Sequence, residues 1–569
     1  MYSASMALLT ALEEAGVEFI FANFGSDHAG LLEAIAEARR QNINLPRIIT
    51  SPHEAVALSA AHGHAMVSGK AQAVFVHVDC GTQSLAGGMH NADRGRTPVF
   101  IFAGLSPFTQ DGELPGSRNE FIQWIQDAHD QTGIVRGSVR YANEVRTGRN
   151  IKQITNRALQ FAQSDPQGPV YVTAAREVLE ETVPPCSVVA EKWRSVSNAA
   201  LHGDDARLLA EKLAGARRPL IVTSYLGRKP EAVAALEALS ETLGAGVLES
   251  VPSRMNFPHD NPLYQGNQWN EPQQNDALAE ADVVLAIDTD VPWIAAHNRP
   301  GDEAAVFHID IDPLKQQMPL WHIGSLRSFR ADAAVALEQI TASLRELTLD
   351  DALIAERRNY FETRHHKRAA ALRAAEQPAE GVTAAHFVSR LRRHASDNTI
   401  VLNESITEYK TICDHMMMTR PGSAFTSGGG SLGWNTGAAL GAKLAAPDSE
   451  IITIGGDGSY MFSIPSTAHW MARRYKLPFL QIVLNNNGWN APRHSMLSVH
   501  PSGEGSRADD LDISFAPAPD YGAVAAAAGG AFTRQVRENA EIDDALEEAY
   551  AAIRKEGRCA VLGVQLQPR

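Results

Sequence analysis

The chain has 569 residues, of which 44% are hydrophobic and 21% charged, and its formal net charge is −15. This composition predicts a soluble globular protein of about three domains. The negative charge argues against nucleic acid or an anionic membrane surface as a partner.

The cysteines and the N-terminus exclude further classes. The 4 cysteines lie far apart without a CxxC pair, so neither a disulfide framework nor a zinc site is predicted. The N-terminus lacks a basic start and turns polar at Glu13, which is typical of an amphipathic helix rather than a signal peptide. No apolar run approaches the ~20 residues of a membrane span. We therefore predict a cytoplasmic protein with no membrane partner.

Residues 1–183 alternate strands and helices, which predicts a parallel sheet with helices on both faces. Ligands of such sheets bind at the carboxyl ends of the strands, so Ser26, Glu54 and His77 are expected to face one rim. The predicted strands are Val17–Phe24, Arg47–Thr50, Ala73–Val78, Val99–Ala103 and Val170–Thr173.

Three further units are predicted after a polar connector. Residues 198–340 form a central α/β domain, and residues 341–380 form a charged, alanine-rich linker helix. Residues 381–569 form a third α/β domain, which resembles the first in layout. The fold class is thus α/β, with three doubly wound parallel-sheet domains.

The third unit contains the most informative stretch. Two apolar runs, Ile451–Ile454 and Phe479–Leu484, flank a segment of helix length, which predicts a βαβ unit whose strand ends lie side by side. Asp457 and Asn486 follow these runs and should therefore converge, together with the backbone carbonyl of Gly488. Such oxygen ligands suit Mg²⁺ or Ca²⁺ beside a bound phosphate. The alternative is an ordinary α/β turn followed by an asparagine-rich loop.

Glycines on both sides of Asp457 allow the backbone to approach an anion, and Ser459 is placed to donate a hydrogen bond at the helix start. This stretch resembles the GDG…NN motif of thiamine-diphosphate (ThDP) enzymes of the decarboxylase/synthase superfamily. The resemblance covers the whole chain and implies pyrimidine-binding, central and diphosphate-binding domains, with ThDP and Mg²⁺ as cofactors. The cofactor-binding residues that it implies are Thr407, Gly430, Leu432, Gly456, Asp457, Gly458, Ser459, Asn486 and Gly488, with Asp457, Asn486 and Gly488 on the metal.

Glu54 has two interpretations. A glutamate at a helix start is often only a favourable partner of the helix dipole. The resemblance implies instead that its carboxyl binds the aminopyrimidine ring, with Leu432 bending the cofactor and a carbonyl near Gly430 binding the ring. In that family the glutamate meets the diphosphate-binding domain of another subunit, which implies a homo-oligomer, either a dimer or a tetramer.

Motifs near the strand ends are closest to benzoylformate decarboxylase. Ser26, His77 and the Asn403–Ser405 stretch before Thr407 match its motifs, and His297 aligns with its second active-site histidine. For both histidines the alternative is a residue satisfied by local hydrogen bonds. His28 stands where that group has an acid, and the segment 491–520 is longer than expected, so the substrate is not transferred.

The predicted function is ThDP- and Mg²⁺-dependent cleavage of the C–C bond next to a carbonyl, with decarboxylation of a small 2-oxo acid as the leading hypothesis. A carboligase of the acetolactate synthase type or a 2-hydroxyacyl-CoA lyase is the alternative, and a non-catalytic homologue is the hypothesis from another class. The central domain lacks the arginine-rich flavin-binding stretch of acetolactate synthase and has residues 289–293 instead, which argues against FAD.

Overall fold

The computed structural model describes residues 2–508 and 510–567. Three six-stranded sheets follow one another along the chain, and every strand pair within them is parallel. The predicted three-sheet α/β architecture is confirmed. Across the described ranges, no helix has the length and apolar content needed to cross a bilayer.

The first sheet has the strand order β2-β1-β3-β4-β6-β5. Its strands are β1 (Phe19–Ala22), β2 (Arg47–Thr50), β3 (Gln72–Val76), β4 (Val99–Leu105), β5 (Tyr141–Val145) and β6 (Pro169–Ala175). The accompanying helices are α1 (Ala4–Glu14), α2 (Ala29–Gln41), α3 (Glu54–Ser68), α4 (Val78–Gln83), α5 (Ala86–Arg94), α6 (Ile122–Ile125), α7 (Ile151–Gln163) and α8 (Arg176–Glu180).

The central sheet has the order β12-β11-β10-β7-β8-β9, which is the 3-2-1-4-5-6 order of dinucleotide-binding folds read from the other edge. Its strands are β7 (Pro219–Thr223), β8 (Gly246–Ser250), β9 (Tyr264–Gln268), β10 (Val283–Ile287), β11 (Ala305–Asp310) and β12 (Arg327–Arg330). Its helices are α9 (Gly203–Gly215), α10 (Pro230–Leu243), α11 (Asp276–Ala279) and α12 (Ala333–Leu344), followed by the long linker helix α13 (Asp351–Ala375).

The third sheet has the order β14-β13-β15-β16-β18-β17, which repeats the order of the first sheet strand for strand. Its strands are β13 (Thr399–Glu404), β14 (Ala424–Phe425), β15 (Glu450–Gly456), β16 (Leu480–Asn485), β17 (Phe532–Val536) and β18 (Ala560–Gln565). Its helices are α14 (Ala384–His394), α15 (Tyr409–Met416), α16 (Asn435–Ala445), α17 (Asp457–Phe462), α18 (Pro465–Tyr475), α19 (Asn490–Val499), α20 (Tyr521–Gly529) and α21 (Ile542–Arg554).

The first and third domains share one hydrophobic core and each has a second core of its own, whereas the central domain has a separate core. Helices α3 and α16 cross at backbone contact within this shared core. A Cβ on Gly441 would lie 1.8 Å from the Ala60 carbonyl oxygen, and one on Gly63 would lie 2.3 Å from that of Ala438. Side chains at these glycines would therefore force the helices apart.

An ionic network joins the first domain to the central one. Arg96 follows α5 and reaches Asp310 at 3.1 Å and Asp290 at 3.3 Å at the carboxyl end of the central sheet. Lys315 binds the same two aspartates. A side chain of the first domain thus lies at the edge where sheets of this order bind their ligands.

Candidate active site

The predicted convergence at the third sheet is confirmed, because β15 and β16 are parallel neighbours. Asp457 begins α17 directly after β15 and is 2% exposed. Its Oδ1 accepts a hydrogen bond from the Gly458 amide at 2.8 Å, and its Oδ2 accepts one from the Gly488 amide at 2.9 Å. Burial raises the pKa of this carboxyl. The buried carboxylate therefore favours a compensating cation.

Asn486 completes this edge of the sheet. Its Nδ2 donates to Thr407 Oγ1 at 3.3 Å, while its buried Oδ1 has no hydrogen-bond partner among residues 2–508 and 510–567. Asn487 adopts φ 62°, and this left-handed turn carries the chain to Gly488. The carboxylate of Asp457, the amide oxygen of Asn486 and the Gly488 carbonyl, which also accepts the Asn490 amide at 3.0 Å, are of the chemical type that suits Mg²⁺ or Ca²⁺, and we refer to them as the donor set.

No group of three His, Cys, Asp or Glu side chains in the described parts of the chain is arranged to hold a metal. A cavity of about 330 Å³ opens beside Asn486 and is bordered by Thr407 and by the first turns of α19. Asn486, one of the three donors, therefore borders a space that admits a ligand.

Ser459 is the third residue of α17, but its hydroxyl donates to the Glu404 carbonyl at 2.9 Å. Its contact with a cofactor stays a prediction. The Glu404 carboxylate accepts the amides of Trp434 and Asn435 at the start of α16, at 2.9 and 3.1 Å. Burial raises its pKa to about 7. Sequence reasoning noted Glu404 only as part of a motif and missed this buried cap.

The glycine-rich loop before α16 is supported by the first domain. Asn91 on α5 accepts a hydrogen bond from the Ser431 amide at 3.0 Å and donates one to the Ser431 carbonyl at 2.8 Å. A Cβ on Gly429 would lie 2.5 Å from Asn91 Oδ1. Leu432 is half-buried and Gly430 is exposed, so the loop presents both to the surface of this chain. No motif in the sequence points to Asn91.

Glu54 is the first residue of α3, at the carboxyl end of the first sheet. Its Oε1 accepts a hydrogen bond from Asn23 Nδ2 at 2.7 Å, and its side chain is 12% exposed. A Cβ on Gly81 would lie 3.3 Å from the same oxygen, so α4 approaches the carboxyl closely. The carboxyl is thus oriented by a neighbour as well as by the helix start. Asn23 follows β1, and a polar residue directly after an apolar strand is the sequence signal that could have identified it as a site residue.

His77 precedes α4 on the same edge. Its Nδ1 lies 2.5 Å from Asp27 Oδ1 and its Nε2 lies 2.8 Å from Gln126 Oε1. The hydrogen bond with Asp27 raises the pKa of His77, and this effect exceeds the opposing effect of burial. Ser26 lies beside Asp27, and its buried hydroxyl has no partner within the described structure. Sequence reasoning assigned no role to Asp27 or Gln126.

The predicted residues fall into two groups within one chain. Ser26, Glu54 and His77 lie at the first sheet, and the cofactor and metal residues lie at the third. Within the described ranges, no hydrogen bond or ion pair links Glu54 to Asp457. His297 belongs to neither group, since it is exposed in the central domain. His28, the noted departure, is fully buried beside Phe24 and Phe102.

Two sheets of identical strand order flank a dinucleotide-type domain, with an oriented carboxyl on one and a set of oxygen donors on the other. This arrangement defines a cofactor-dependent α/β enzyme of three domains. Three family models match in the corresponding order. They are the N-terminal TPP binding domain, the central domain and the C-terminal TPP binding domain of thiamine pyrophosphate enzymes, at residues 3–134, 206–320 and 406–564. The chain belongs to the thiamine pyrophosphate enzyme family.

Curated relatives cover most of the chain. Benzoylformate decarboxylase of Pseudomonas aeruginosa is 26% identical over 97% of this chain and 97% of its own. A probable 2-ketoarginine decarboxylase of the same species is 25% identical over 87% of this chain and 84% of its own. A probable acetolactate synthase large subunit of Methanocaldococcus jannaschii is 25% identical over 84% and 79%.

Solved structures share the fold over its full length. A thiamine diphosphate-dependent 4-hydroxybenzoylformate decarboxylase of Rhodococcus jostii superposes with a TM-score of 0.79 at 22% identity, covering 100% of this chain and 99% of the other. Benzoylformate decarboxylase of Polynucleobacter necessarius gives 0.79 at 19% identity and covers 100% of both chains.

Proposed function

We propose that the protein uses ThDP and a divalent cation, Mg²⁺ or in its place Ca²⁺, to cleave the C–C bond next to a carbonyl, with decarboxylation of a 2-oxo acid as its main reaction. The observation that carries this proposal is the buried Oδ1 of Asn486, which has no hydrogen-bond partner in the described part of the chain, near the buried carboxylate of Asp457. A buried polar atom without a partner is costly, and a cation with a bound diphosphate would satisfy it.

When bound, ThDP supplies an electron sink for the bond that breaks. The chain's residues bind, orient and move protons around it. Asp457, Asn486 and Gly488 would hold the cation, and the Glu54 carboxyl, oriented by Asn23, would exchange a proton with the aminopyrimidine ring. Ser26 offers an unpaired hydroxyl for the substrate carboxylate, on the same sheet edge as Glu54.

The relatives supply the candidates for the substrate. Among them are enzymes named for benzoylformate and 2-ketoarginine, which are both 2-oxo acids but differ in charge and shape. CO₂ release should be measured from benzoylformate, 2-ketoarginine and pyruvate, with and without ThDP and Mg²⁺. ThDP-dependent CO₂ release from at least one acid is expected. Its absence across a broad 2-oxo acid panel would contradict the proposal.

Carboligation is the second candidate, since acetolactate synthases are among the relatives. Both reactions begin with the same bond cleavage and differ in what accepts the product. Product analysis with and without an added aldehyde therefore separates them. If carboligation is the main reaction, C–C coupled product should exceed free aldehyde product when the acceptor is present.

The active unit is proposed to be at least a homodimer. Within residues 2–508 and 510–567 no hydrogen bond or ion pair joins Glu54 to Asp457, although the proposed chemistry needs both on one cofactor. Met461 and Phe462, on the helix that begins with Asp457, are 52% and 57% exposed in the single chain. Exposed apolar side chains of this kind are expected where a partner subunit covers the surface. Sedimentation velocity at assay concentration should show a dimer or tetramer. A fully active monomer would contradict this arrangement.

A further inference from the structure

His77 is held by a buried carboxylate that the shared motifs do not include. Asp27 is 2% exposed, and its Oδ1 lies 2.5 Å from His77 Nδ1. Its second oxygen accepts the Val78 amide at 3.3 Å. A Cβ on Gly104 would lie 1.9 Å from Asp27 Oδ2, and one on Gly25 would lie 2.1 Å from His77 Nδ1. The surrounding glycines therefore leave the space that the pair occupies.

The other ring nitrogen of His77 also faces an acceptor. Gln126 Oε1 lies 2.8 Å from His77 Nε2, while Gln126 Nε2 donates to Cys80 Sγ at 3.3 Å. With the amide in this orientation, its oxygen faces the histidine. An imidazole with acceptors at both nitrogens must carry protons on both. The hydrogen-bond geometry is thus that of a positively charged His77.

The neighbouring ionisable groups are consistent with this charge. Asp79, on the same helix as Cys80, adds a second negative charge that raises the pKa of His77. His28 lies 3.2 Å from Asp27, but its Nδ1 accepts the Gly25 amide at 3.0 Å and is therefore not protonated. Burial also lowers the pKa of His28. Hence His28 Nδ1 is occupied as an acceptor, and the direct side-chain hydrogen bond of Asp27 is with His77.

We propose that Asp27 is a positioning residue that keeps His77 doubly protonated, with its Nε2–H turned toward the catalytic edge. This inference rests on the proposed function for its catalytic meaning. During turnover, a basic atom of the reacting group would take the place of Gln126 Oε1 beside His77 Nε2. The Nε2–H bond would then break as the proton passes to that atom. The imidazole would stay bound to Asp27 through Nδ1–H and would regain its proton from water.

The test compares Asp27→Asn with Asp79→Asn. Both substitutions remove one negative charge near His77, but only Asp27 is hydrogen-bonded to the ring. Histidine-labelled protein is titrated by NMR, and the His77 signal is assigned from its loss in His77→Gln. Asp27→Asn should lower the midpoint of the His77 titration by about 1–3 pH units, the usual effect of a close opposite charge, and Asp79→Asn should lower it less. Circular dichroism verifies that both variants fold.

An unchanged His77 midpoint in Asp27→Asn would overturn the proposal, and so would an equal shift in the two variants. These results do not depend on turnover, so they remain decisive if no 2-oxo acid is a substrate. With a substrate in hand, the alkaline limb of kcat/KM against pH should move down together with the NMR midpoint. A limb that stays in place while the midpoint moves would show that the His77 proton is not used.

Discussion

Replacing Glu54 with glutamine tests whether its carboxyl acts in proton transfer. The side chain is 12% exposed, and its Oε1 accepts from Asn23 at 2.7 Å, a bond that a glutamine oxygen also accepts. Loss of one charge at the start of α3 costs roughly 0.3–1 kcal/mol of folding stability. Loss of an acid–base group slows a reaction by ~10²–10⁴-fold, or roughly 3–5 kcal/mol of barrier. The fold should therefore persist while turnover is largely lost.

The assay follows hydrogen–deuterium exchange at the reactive thiazolium carbon of bound ThDP, alongside turnover and ThDP affinity. Exchange should slow by a factor similar to turnover, with affinity changed far less. Glu231→Gln is the matched control, because Glu231 is an exposed acid in the first turn of α10 and lies in the central domain. Exchange in Glu54→Gln as fast as in the wild type would refute the role and leave Glu54 as a helix-start residue.

Three further outcomes are expected. Asp457→Ala should abolish Mg²⁺-dependent ThDP binding in calorimetry, because the diphosphate charge loses its anchored cation, and unchanged affinity would refute the metal site. Gly441→Ala places a Cβ 1.8 Å from the Ala60 carbonyl oxygen and should lower the free energy of unfolding, measured in urea, by about 1–3 kcal/mol or more. Gly215→Ala is the control and should not lower it, because a Cβ at Gly215 has no neighbouring atom within 4 Å in the described structure. The pKa of Glu404 is raised from 4.5 to about 7 in the folded protein. Between these pH values the folded protein holds a proton on Glu404 that the unfolded protein has lost, so the stability that this proton contributes declines as the pH rises. Urea unfolding midpoints measured from pH 4.5 to pH 8 should therefore fall less with rising pH in Glu404→Gln than in the wild type. The same pH dependence in both proteins would contradict this prediction.

The interior strands were predictable because their apolar runs appear directly in the sequence. The bounds of Arg47–Thr50 are as predicted although this strand lies at a sheet edge, and the other predicted strands differ by at most two residues at either end. Strands β5 and β17 were not predicted and lie at sheet edges, where a single neighbouring strand and partial burial relax the apolar pattern. Their places depend on pairing with β6 and β18, which no local pattern encodes.

By itself the sequence determined the class of the protein and the edge of the third sheet at which Asp457 and Asn486 lie, while their role on a metal stays a prediction. A short apolar strand must end at the sheet edge, so the Asp457 and Asn486 that follow adjacent strands must meet there. Only the tertiary structure decided the contacts of Asn23 with Glu54, Asn91 with Ser431 and Asp27 with His77. Each joins residues far apart in the chain, and the chain path between them is set by packing in the core. The partner of a polar side chain is a property of that packing, because hydrogen bonds depend on distance in space.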